Sequence, residues 1–287
     1  MYIVLQIVIN ILISSSLYAL VAAGVSFLYA TTKIFHLAHG AVAMIGGYAC
    51  WWMFKVLGMN MFLAGLFAII VSSIIAVLMN ELVYEPLRKR GAKGLGYLIG
   101  TLALLMLSTG VLLALFGGRP RTFGIETTIF NLQGASITAL QLIAILLAVF
   151  ILIGLYALMK FTRFGKAMRA TADNETVAEV LGVNTRTIRR IAFALSGVLA
   201  AAAGMIQGME LTLDPNRAVA LAVFGFAAAV VGGIGTMRGV IAGSLLVGAT
   251  EELVLWFIGG LWRNAAIFGL LFVFLLVRPS GIFGRPK

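Results

Sequence analysis

Charged residues are scarce in this sequence. Only 11% of its 287 residues are Asp, Glu, Lys or Arg, whereas soluble domains carry about 25%. Hydrophobic residues make up 62% of the chain, and the mean hydropathy is +1.08. So few charges cannot cover the surface of a water-soluble domain. The composition therefore predicts a single membrane domain over residues 1–287.

Cysteine and histidine are nearly absent as well. Cys50 is the only cysteine, so no disulfide can form within the chain, and its apolar surroundings indicate a buried packing role. His36 and His39 have a spacing that metal ligands can have, but no Cys, Asp or third His lies near them in the sequence. We therefore predict that the chain binds no metal.

Motifs for nucleotide binding and hydrolysis are also missing. The sequence contains no G-x-x-x-x-G-K-[ST], and its nearest fragment, Gly165-Lys166-Ala167, lacks both the loop and the hydroxyl. An intramembrane enzyme built on Ser196-Gly197 and His39 is disfavoured because no protease-like G-x-S-G is present. We therefore predict a chain that is not an enzyme and binds no cofactor. If ATP drives it, a different subunit binds the ATP.

Long apolar runs occupy most of the chain. A membrane-spanning helix needs about 20 apolar residues, and none of the runs alternates with period two as barrel strands do. The predicted fold class is all-α, a polytopic bundle of nine membrane helices, with a range of eight to ten. Two spans are candidates for a broken or re-entrant helix: Ala218–Val231 is short, and Ile3–Tyr29 is long with three serines at its middle. The predicted spans are Ile3–Tyr29, Leu37–Phe54, Phe62–Val83, Tyr97–Phe116, Ile137–Met159, Ile188–Gln207, Ala218–Val231, Val240–Phe257 and Asn264–Val277.

The basic residues report topology rather than a nucleic-acid partner. The formal net charge is +11, but the predicted spans place 16 of the 21 Lys and Arg residues on one side of the membrane and the other five on the opposite side. This positive-inside bias predicts an N-terminus outside and a C-terminus in the cytoplasm. No basic region precedes Ile3, so we expect the first span to insert without cleavage. The larger group is Lys33, Arg88–Lys93, Lys160 through Arg190, Arg238 and Arg278–Lys287; the smaller is Lys55, Arg119, Arg121, Arg217 and Arg263.

One long polar interruption, TRFGKAMRATADNETVAEVLGVN at residues 162–184, separates two apolar runs. Its first part, Arg163-x-x-Lys166-x-x-Arg169, is predicted to be a basic stripe that continues the fifth span into the cytoplasm. Its second part predicts a helix of about two turns, apolar on one face and acidic on the other. That helix would use Asp173 or Asn174 as N-cap, Glu175 in its first turn, Val177, Ala178 and Leu181 as its apolar stripe, and Gly182 as C-cap.

A helix this short is not stable alone, so it must pack against something. One interpretation is a surface helix that rests on its own bundle or on anionic headgroups. The other is a helix that fits a groove on a cytoplasmic partner. The second is favoured because this is the only long cytoplasmic excursion in the predicted topology.

Seven short motifs occur in order along nearly the whole chain. They are Tyr18-Ala19-Leu20 with Gly24, Ala38-His39-Gly40, Tyr84-x-Pro86-Leu87-Arg88, Arg163-x-Gly165-x-Ala167-x-Arg169-Ala170, Leu181-Gly182-Val183-Asn184, Val231-Gly232-Gly233-Ile234-Gly235, and the run from Leu276 to Arg285. Together they resemble the LivH-type permeases of branched-chain amino-acid ABC importers. The resemblance implies an importer permease in the bacterial cytoplasmic membrane, in contact with lipid.

The resemblance also implies a set of partners. These are a second homologous permease, two ATP-binding subunits that hold ATP and Mg²⁺, and an extracytoplasmic solute-binding protein. The solute would be a branched-chain amino acid or a related small amphipathic molecule such as another amino acid, a short amide or urea. Two departures from the family pattern, His36-Leu37 before Ala38 and the Asn80, Glu81 and Glu85 group, leave that solute implied by resemblance only.

In the LivH-type permeases that this chain resembles, the segment that matches residues 162–187 is the coupling loop, which docks on the ATP-binding subunit. The family signature Glu-Ala-Ala-x-x-x-Gly is replaced here by Thr176-Val177-Ala178 followed by Gly182, so either Glu175 or Glu179 remains a candidate for the charged contact. The predicted coupling residues are Arg163, Gly165, Arg169, Asp173, Glu175, Val177, Ala178, Glu179, Leu181 and Gly182.

Three residues within the spans are predicted to line the translocation pathway. Glu251 is chosen over its neighbour Glu252 for the bundle interior, since an ionisable group in the membrane is costly and the resembling family carries a carboxylate there; the alternative is that both lie at the interface. His39 and Gly40 either open a half-helix that faces the pathway or only pack between helices. A stand-alone, ion-coupled secondary transporter is the alternative function, and it leaves residues 162–184 unexplained.

Overall fold

Twelve α-helices and one β-hairpin form the part of the chain that the structure describes, residues 2–132 and 134–284 of a computed structural model. The elements are α1 (Tyr2–Thr32), α2 (His39–Trp51), α3 (Met61–Met79), α4 (Glu85–Lys89), α5 (Gly94–Phe116), β1 (Ile129–Leu132), β2 (Ala135–Thr138), α6 (Ala139–Phe161), α7 (Arg163–Asp173), α8 (Glu175–Val180), α9 (Thr185–Glu210), α10 (Arg217–Gly232), α11 (Met237–Phe257) and α12 (Arg263–Val277). Residues Arg285–Lys287, which end the predicted basic tail and the last motif, lie outside the described residues.

The predicted bundle is confirmed. Within the described ranges, seven helices are long and apolar enough to cross a membrane, and α10 is a shorter apolar helix. A ninth apolar segment is α2, which continues as one π-helical stretch, Trp52–Val56. Each predicted span corresponds to one of these helices. The third is longer than predicted because a π-helical stretch, Asn80–Tyr84, joins α3 to α4 in one run, Met61–Lys89.

Polar side chains fix where many of the helices begin. In each case a side-chain oxygen at the N-cap accepts a hydrogen bond from a backbone N–H in the first turn, which satisfies a donor that the helix itself cannot. Thr138 also forms a reciprocal capping box with Gln141 at the start of α6. The capping residues are Asn60, Thr138, Thr162, Asn174, Asn184 and Thr236.

The first helix is not broken, although its serines made a break a candidate. α1 is continuous over Tyr2–Thr32, and the Ser16 hydroxyl donates to the Ile13 carbonyl at 2.7 Å, within the helix. A hydroxyl that bonds back to its own helix has its hydrogen bond satisfied while the helix stays continuous. The small hairpin of β1 and β2 packs beside the start of this helix, where Gln6 bonds to the backbone of Ser136.

Two short helices instead begin inside the bundle. Residues 33–38 are not helical and return alongside α1, so that α2 starts with the His39 ring against Gly24. The Ala38 N–H donates to the Thr101 hydroxyl at 3.0 Å. α10 follows a similar non-helical stretch, and its first residues pack on Gly40. Non-helical backbone is tolerated beside membrane spans where protein buries it, and His36, Ala38, Leu213 and Pro215 of these two stretches are buried.

Close backbone contacts hold the bundle together around α9. A Cβ placed on Gly204 would lie 1.7 Å from the Ala43 carbonyl oxygen, and one on Gly197 would lie 2.6 Å from the Ser73 Cα. α10 and α11 meet in the same way, because a Cβ on Gly243 would lie 1.9 Å from the Ala228 carbonyl oxygen. Small residues allow such approach between membrane helices. Gly239, Gly243, Gly204 and Gly208 therefore serve packing within the chain, whereas Gly235 lies in a turn with a φ of +89°.

The helices at the edge of the bundle carry large exposed apolar side chains. Met106 of α5 is 75% exposed, Phe150 of α6 is 74% exposed and Leu276 of α12 is 68% exposed. Such surfaces are stable against hydrocarbon and not against water. The chain is a multi-pass membrane protein in which α9 is central and α5, α6 and α12 are peripheral.

We expect Gly204→Ala to destabilise the protein by about 2 kcal/mol or more, because the added methyl group overlaps backbone that cannot move without separating α2 from α9. Thermal unfolding in detergent, followed by size-exclusion chromatography, measures the effect. The matched control is Gly110→Ala, since nothing lies within 4 Å of that position. Equal melting of the two variants would show that the α2–α9 contact is not as close as described.

Candidate coupling site and membrane cavity

The predicted basic stripe does not continue the fifth span, and that prediction is wrong. α6 ends at Phe161, Thr162 is extended, and its hydroxyl accepts from the Gly165 N–H at 3.0 Å to begin a separate helix, α7. The turn is tight, because a Cβ on Gly165 would lie 2.2 Å from the Met159 carbonyl oxygen. The Arg169 guanidinium donates to that same carbonyl, which closes α7 back onto the end of α6. Arg163 stays exposed.

The short helix α8 follows directly. Asn174 is its N-cap and accepts from the Val177 N–H at 3.1 Å, whereas Asp173 is the last residue of α7. Gly182 has a φ of +87°, the left-handed conformation predicted for the C-cap position. The predicted apolar stripe is divided: Ala178 is 1% exposed and packs against the chain, while Leu181 is 75% exposed.

Exposed apolar side chains cluster on the outer face of this helix. Val177 is 52% exposed, Val180 is 83% exposed and Leu181 is 75% exposed. Here we call these three residues the exposed face of α8. They differ from the lipid-facing side chains of α5 or α6 because α8 is a polar, two-turn segment between charged helices. An apolar surface in a polar setting indicates a protein contact.

Ion pairs between side chains connect the opposite face of α8 to the bundle. Arg189 of α9 donates from Nε to Glu85 at 2.7 Å and pairs through Nη1 with Glu175. Arg88 of α4 lies 3.4 Å from Glu175 and also donates to the Thr32 carbonyl at 3.4 Å. Arg189 and Arg88 together therefore connect the coupling helix to the adjoining ends of α1, α4 and α9. We call Glu85, Arg88, Glu175 and Arg189 the anchor cluster.

Other charges at this end of the bundle are also paired within the chain. Glu179 accepts from the Thr185 hydroxyl at 2.6 Å. Glu81 accepts from Arg186 at 2.7 Å and from Arg190 at 2.8 Å. Both candidate carboxylates of the coupling helix, Glu175 and Glu179, thus hydrogen-bond to their own chain, and the exposed face of α8 is apolar.

Sequence reasoning did not single out Arg189, but a signal was present. Arg186, Arg189 and Arg190 all lie in the first two turns of α9. Cations at a helix N-terminus oppose the helix dipole. Three of them in that place predict carboxylate partners from elsewhere in the fold, and the structure supplies Glu81, Glu85 and Glu175.

The two histidines occupy a buried cluster between α2, α9 and the π-helical stretch after α3. His36 Nδ1 lies 2.8 Å from the Tyr84 hydroxyl, and His39 Nδ1 lies 3.0 Å from the Ser196 hydroxyl. Both rings are 1% exposed, and the His36 ring also packs edge-on against Phe193. These contacts are those of helix packing. A place for His39 and Gly40 in the translocation pathway stays a prediction.

The adjacent carboxylates of α11 are both buried within the bundle, and a place for Glu251 in the translocation pathway stays a prediction. Glu251 is 3% exposed and Glu252 is 7% exposed. Glu252 accepts from the Ser14 hydroxyl of α1 at 2.8 Å. Glu251 pairs with Arg263, whose guanidinium also donates to the Tyr18 hydroxyl at 3.1 Å. The two side chains leave α11 in different directions, as successive helical residues do.

A cavity of about 100 Å³ lies beside the Tyr18–Arg263 pair. It holds several water molecules by volume. Tyr18 lies near the middle of α1, and the other cavity walls come from three further helices, α9, α10 and α12. The lining residues are Tyr18, Gln207, Arg217, Ala220, Leu221, Phe224, Arg263 and Asn264.

Comparison with known proteins identifies the family. The sequence matches the family described as "Branched-chain amino acid transport system / permease component" over residues 7–276. The chain belongs to this family of permeases. It is a permease component of ABC transport systems rather than a secondary transporter, as the motifs predicted.

Individual relatives span almost the whole chain. It is 31% identical to the high-affinity branched-chain amino acid transport system permease protein BraD of Pseudomonas aeruginosa, over 99% of this chain and 96% of that protein. It is 29% identical to the permease LivH of Escherichia coli K12, over 95% of this chain and 92% of that protein. A solved structure, PsaBC from Streptococcus pneumoniae in complex with Fab, shares the fold, with a TM-score of 0.54 and 16% identity over 94% of this chain and 91% of that chain.

We expect Arg189→Met to destabilise the protein by about 3–5 kcal/mol, because it leaves the buried Glu85 carboxylate without its partner. Detergent melting of the purified chain measures the change. The double variant Arg189→Met/Glu85→Leu should recover much of the loss, since the unpaired charge is removed.

Arg186→Met is the matched control for that experiment. Its side chain is 49% exposed and its partner Glu81 keeps Arg190, so the change should stay under about 1 kcal/mol. Comparable losses in Arg186→Met and Arg189→Met would contradict the central place given to Arg189 in the anchor cluster.

Proposed function

We propose that this chain is the membrane-spanning subunit of an ABC importer that takes up branched-chain amino acids, and that α8 is the element that docks on an ATP-binding partner. The observation that carries the docking proposal is the exposed face of α8. A two-turn helix that holds Val180 at 83% and Leu181 at 75% exposure outside the apolar spans fits an amphipathic helix that is completed by a groove on another protein.

The proposed partners follow from the family to which the chain belongs. Two separate ATP-binding subunits supply ATP and Mg²⁺, and this chain is not an enzyme. A second homologous permease completes the translocation pathway, and an extracytoplasmic binding protein delivers and selects the solute. The predicted coupling residues Arg163, Gly165, Arg169 and Asp173 shape α7, which holds α8 in place beneath the bundle.

The anchor cluster gives the docking helix a mechanical connection to the spans. Closure of the ATP-binding subunits displaces α8, and Glu175 carries that displacement to Arg88 and Arg189 through charge-assisted bonds. Arg189 belongs to α9, the central helix of the bundle. Rigid elements that move together around a central path produce alternating access.

The orientation of the chain follows the basic residues. The anchor cluster, α7 and α8 lie at the end of the bundle that carries most Lys and Arg, so we place that end and the C-terminus in the cytoplasm and the N-terminus outside. The resulting location is the bacterial inner membrane, and the exposed face of α8 then meets the compartment where ATP is present.

Leu181→Asp should abolish association with the ATP-binding subunits while the bundle still inserts, because a carboxylate would be buried unpaired in an apolar contact. Co-purification from native membranes and ATPase activity of the eluate measure this. Gly182→Pro should have the same effect, since proline cannot adopt the positive φ at that position.

The matched control is Leu261→Asp, which places the same charge on a side chain that is 98% exposed at the other end of the bundle. It should co-purify with its partners as the unaltered chain does. Retention of the ATPase by Leu181→Asp would remove α8 from the docking contact.

Leucine uptake distinguishes the importer from an ion-coupled transporter. Proteoliposomes that hold the assembly purified from native membranes should accumulate labelled leucine only when ATP is supplied on the cytoplasmic face together with the solute-binding protein. Proton or sodium gradients alone should give no uptake. Gradient-driven uptake without ATP would refute the proposal.

A further inference from the structure

We propose that the cavity beside Tyr18 and Arg263 binds the carboxylate of the transported solute within the helix bundle. This inference rests on the proposed function and deepens it, because it names the part of the solute that the chain recognises and the residues that recognise it. The carboxylate-binding groups are Gln207, Arg217 and Arg263.

Unused hydrogen-bond donors are the first support. Gln207 lies near the end of α9, is 4% exposed and lines the cavity, yet its Nε2 has no hydrogen-bond partner in the described structure. Arg263 Nε is likewise buried without a partner among the described residues. Buried donors are almost always satisfied. Donors left free in a cavity wall therefore indicate an acceptor that enters from outside.

The charges around the cavity select an anion. Arg217 and Arg263 both line it, and Glu251 is the carboxylate that pairs with Arg263. No carboxylate of the described chain lies within 4.0 Å of the Arg217 guanidinium. Glu252 accepts a hydrogen bond from Ser14 of α1. The cavity lining itself includes two guanidinium groups and no carboxylate, and guanidinium groups bind carboxylates in a geometry that other cations do not match.

Glu251 acts here as a positioning residue. It holds Arg263 against the Tyr18 hydroxyl, which fixes the guanidinium at the cavity wall. The Arg263 guanidinium also lies over the Phe224 ring, with its carbon 5.4 Å from the ring centroid. Because three contacts already restrain this arginine, its side chain loses little conformational entropy when a solute binds.

The remaining wall of the cavity is apolar. Ala220, Leu221 and Phe224 lie on one side of α10, and the Phe224 ring packs edge-on against Tyr18, with centroids 5.6 Å apart. A polar end with three donors beside an apolar wall fits a small amphipathic acid. An aliphatic amino acid has this form, with its carboxylate on the arginines and its branched side chain on Leu221 and Phe224.

The position of the cavity agrees with a solute site. It lies beside Tyr18 of α1, where α10 begins at Arg217 and α12 begins at Arg263. Transporters commonly place the first turns of short or broken helices at their solute sites. An anionic lipid headgroup offers a phosphate to the same donors, so the test must separate lipid from solute.

Photo-crosslinking tests the site directly. The complete assembly in nanodiscs is exposed to a leucine analogue that carries a diazirine in its side chain, and the labelled peptides of this chain are mapped. We expect label on the segment that contains Leu221 and Phe224. Free leucine should prevent it, and leucinamide, which lacks the carboxylate, should compete about 10- to 100-fold less well because it cannot make the charge-assisted bonds.

Substitutions of the proposed donors test whether these side chains bind the carboxylate. Arg217→Met and Gln207→Leu should each reduce labelling at least about tenfold and remove the preference for leucine over leucinamide, while co-purification with the partner subunits stays unchanged. The matched control is Arg119→Met, an exposed arginine outside the cavity, which should label as the unaltered chain does. A purely structural role of Arg217 or Gln207 would not change the carboxylate preference.

The outcomes separate this inference from the proposed function. If the unaltered assembly imports leucine but the label falls elsewhere, or leucinamide protects as well as leucine, the cavity is not the carboxylate site and the importer proposal stands. If leucine is neither imported nor protective, both fail together. Labelling that leucine prevents in phosphatidylcholine nanodiscs, but that disappears when phosphatidylglycerol is included, would make the cavity a lipid site and overturn the inference.

Discussion

Close contact between helix backbones is the constraint on which the rest of this structure depends. Lipid tails are as apolar as the side chains of the spans, so the hydrophobic effect does not hold the helices together. Glycines let α9 touch α2 and α3 with no side chain between them, as at Gly204 and Gly197. Because these contacts fix α9, they also fix the polar side chains at its two ends.

The spans could be predicted from the sequence because each depends only on a local run of apolar residues. The break at Thr162 could not, since the apolar run before it and the helical spacing of Arg163, Lys166 and Arg169 after it are both compatible with one continuous helix. What ends α6 is a local preference of Thr162 for the N-cap position and the absence of a Cβ on Gly165, which permits the backbone approach to Met159. A helical pattern reports which face is polar and does not report where the axis turns.

Residues of the candidate sites were also predictable where they depend only on the local sequence. The caps of α8 depend on neighbouring residues, so the sequence predicted Gly182 as the C-cap and limited the N-cap to Asp173 or Asn174. The direction in which α8 presents its apolar side chains was not, because Arg189 of another helix decides it. Burial of a carboxylate at Glu251 could be inferred from its place in a span. Its partner Arg263 lies on α12, and only the fold brings the two together.

One helix connects the two sites. Arg189 lies near the beginning of α9 and Gln207 near its end, so the helix carries the anchor cluster and the cavity about 27 Å apart at 1.5 Å per residue. An α-helix transmits displacement along its axis with little loss, and the glycine contacts oblige α2 and α3 to follow it. In the proposed importer, a shift of α8 therefore moves Gln207 relative to Arg217 and Arg263, which belong to other helices. The same motion that opens the bundle would then separate the donors that hold the carboxylate, which releases the solute.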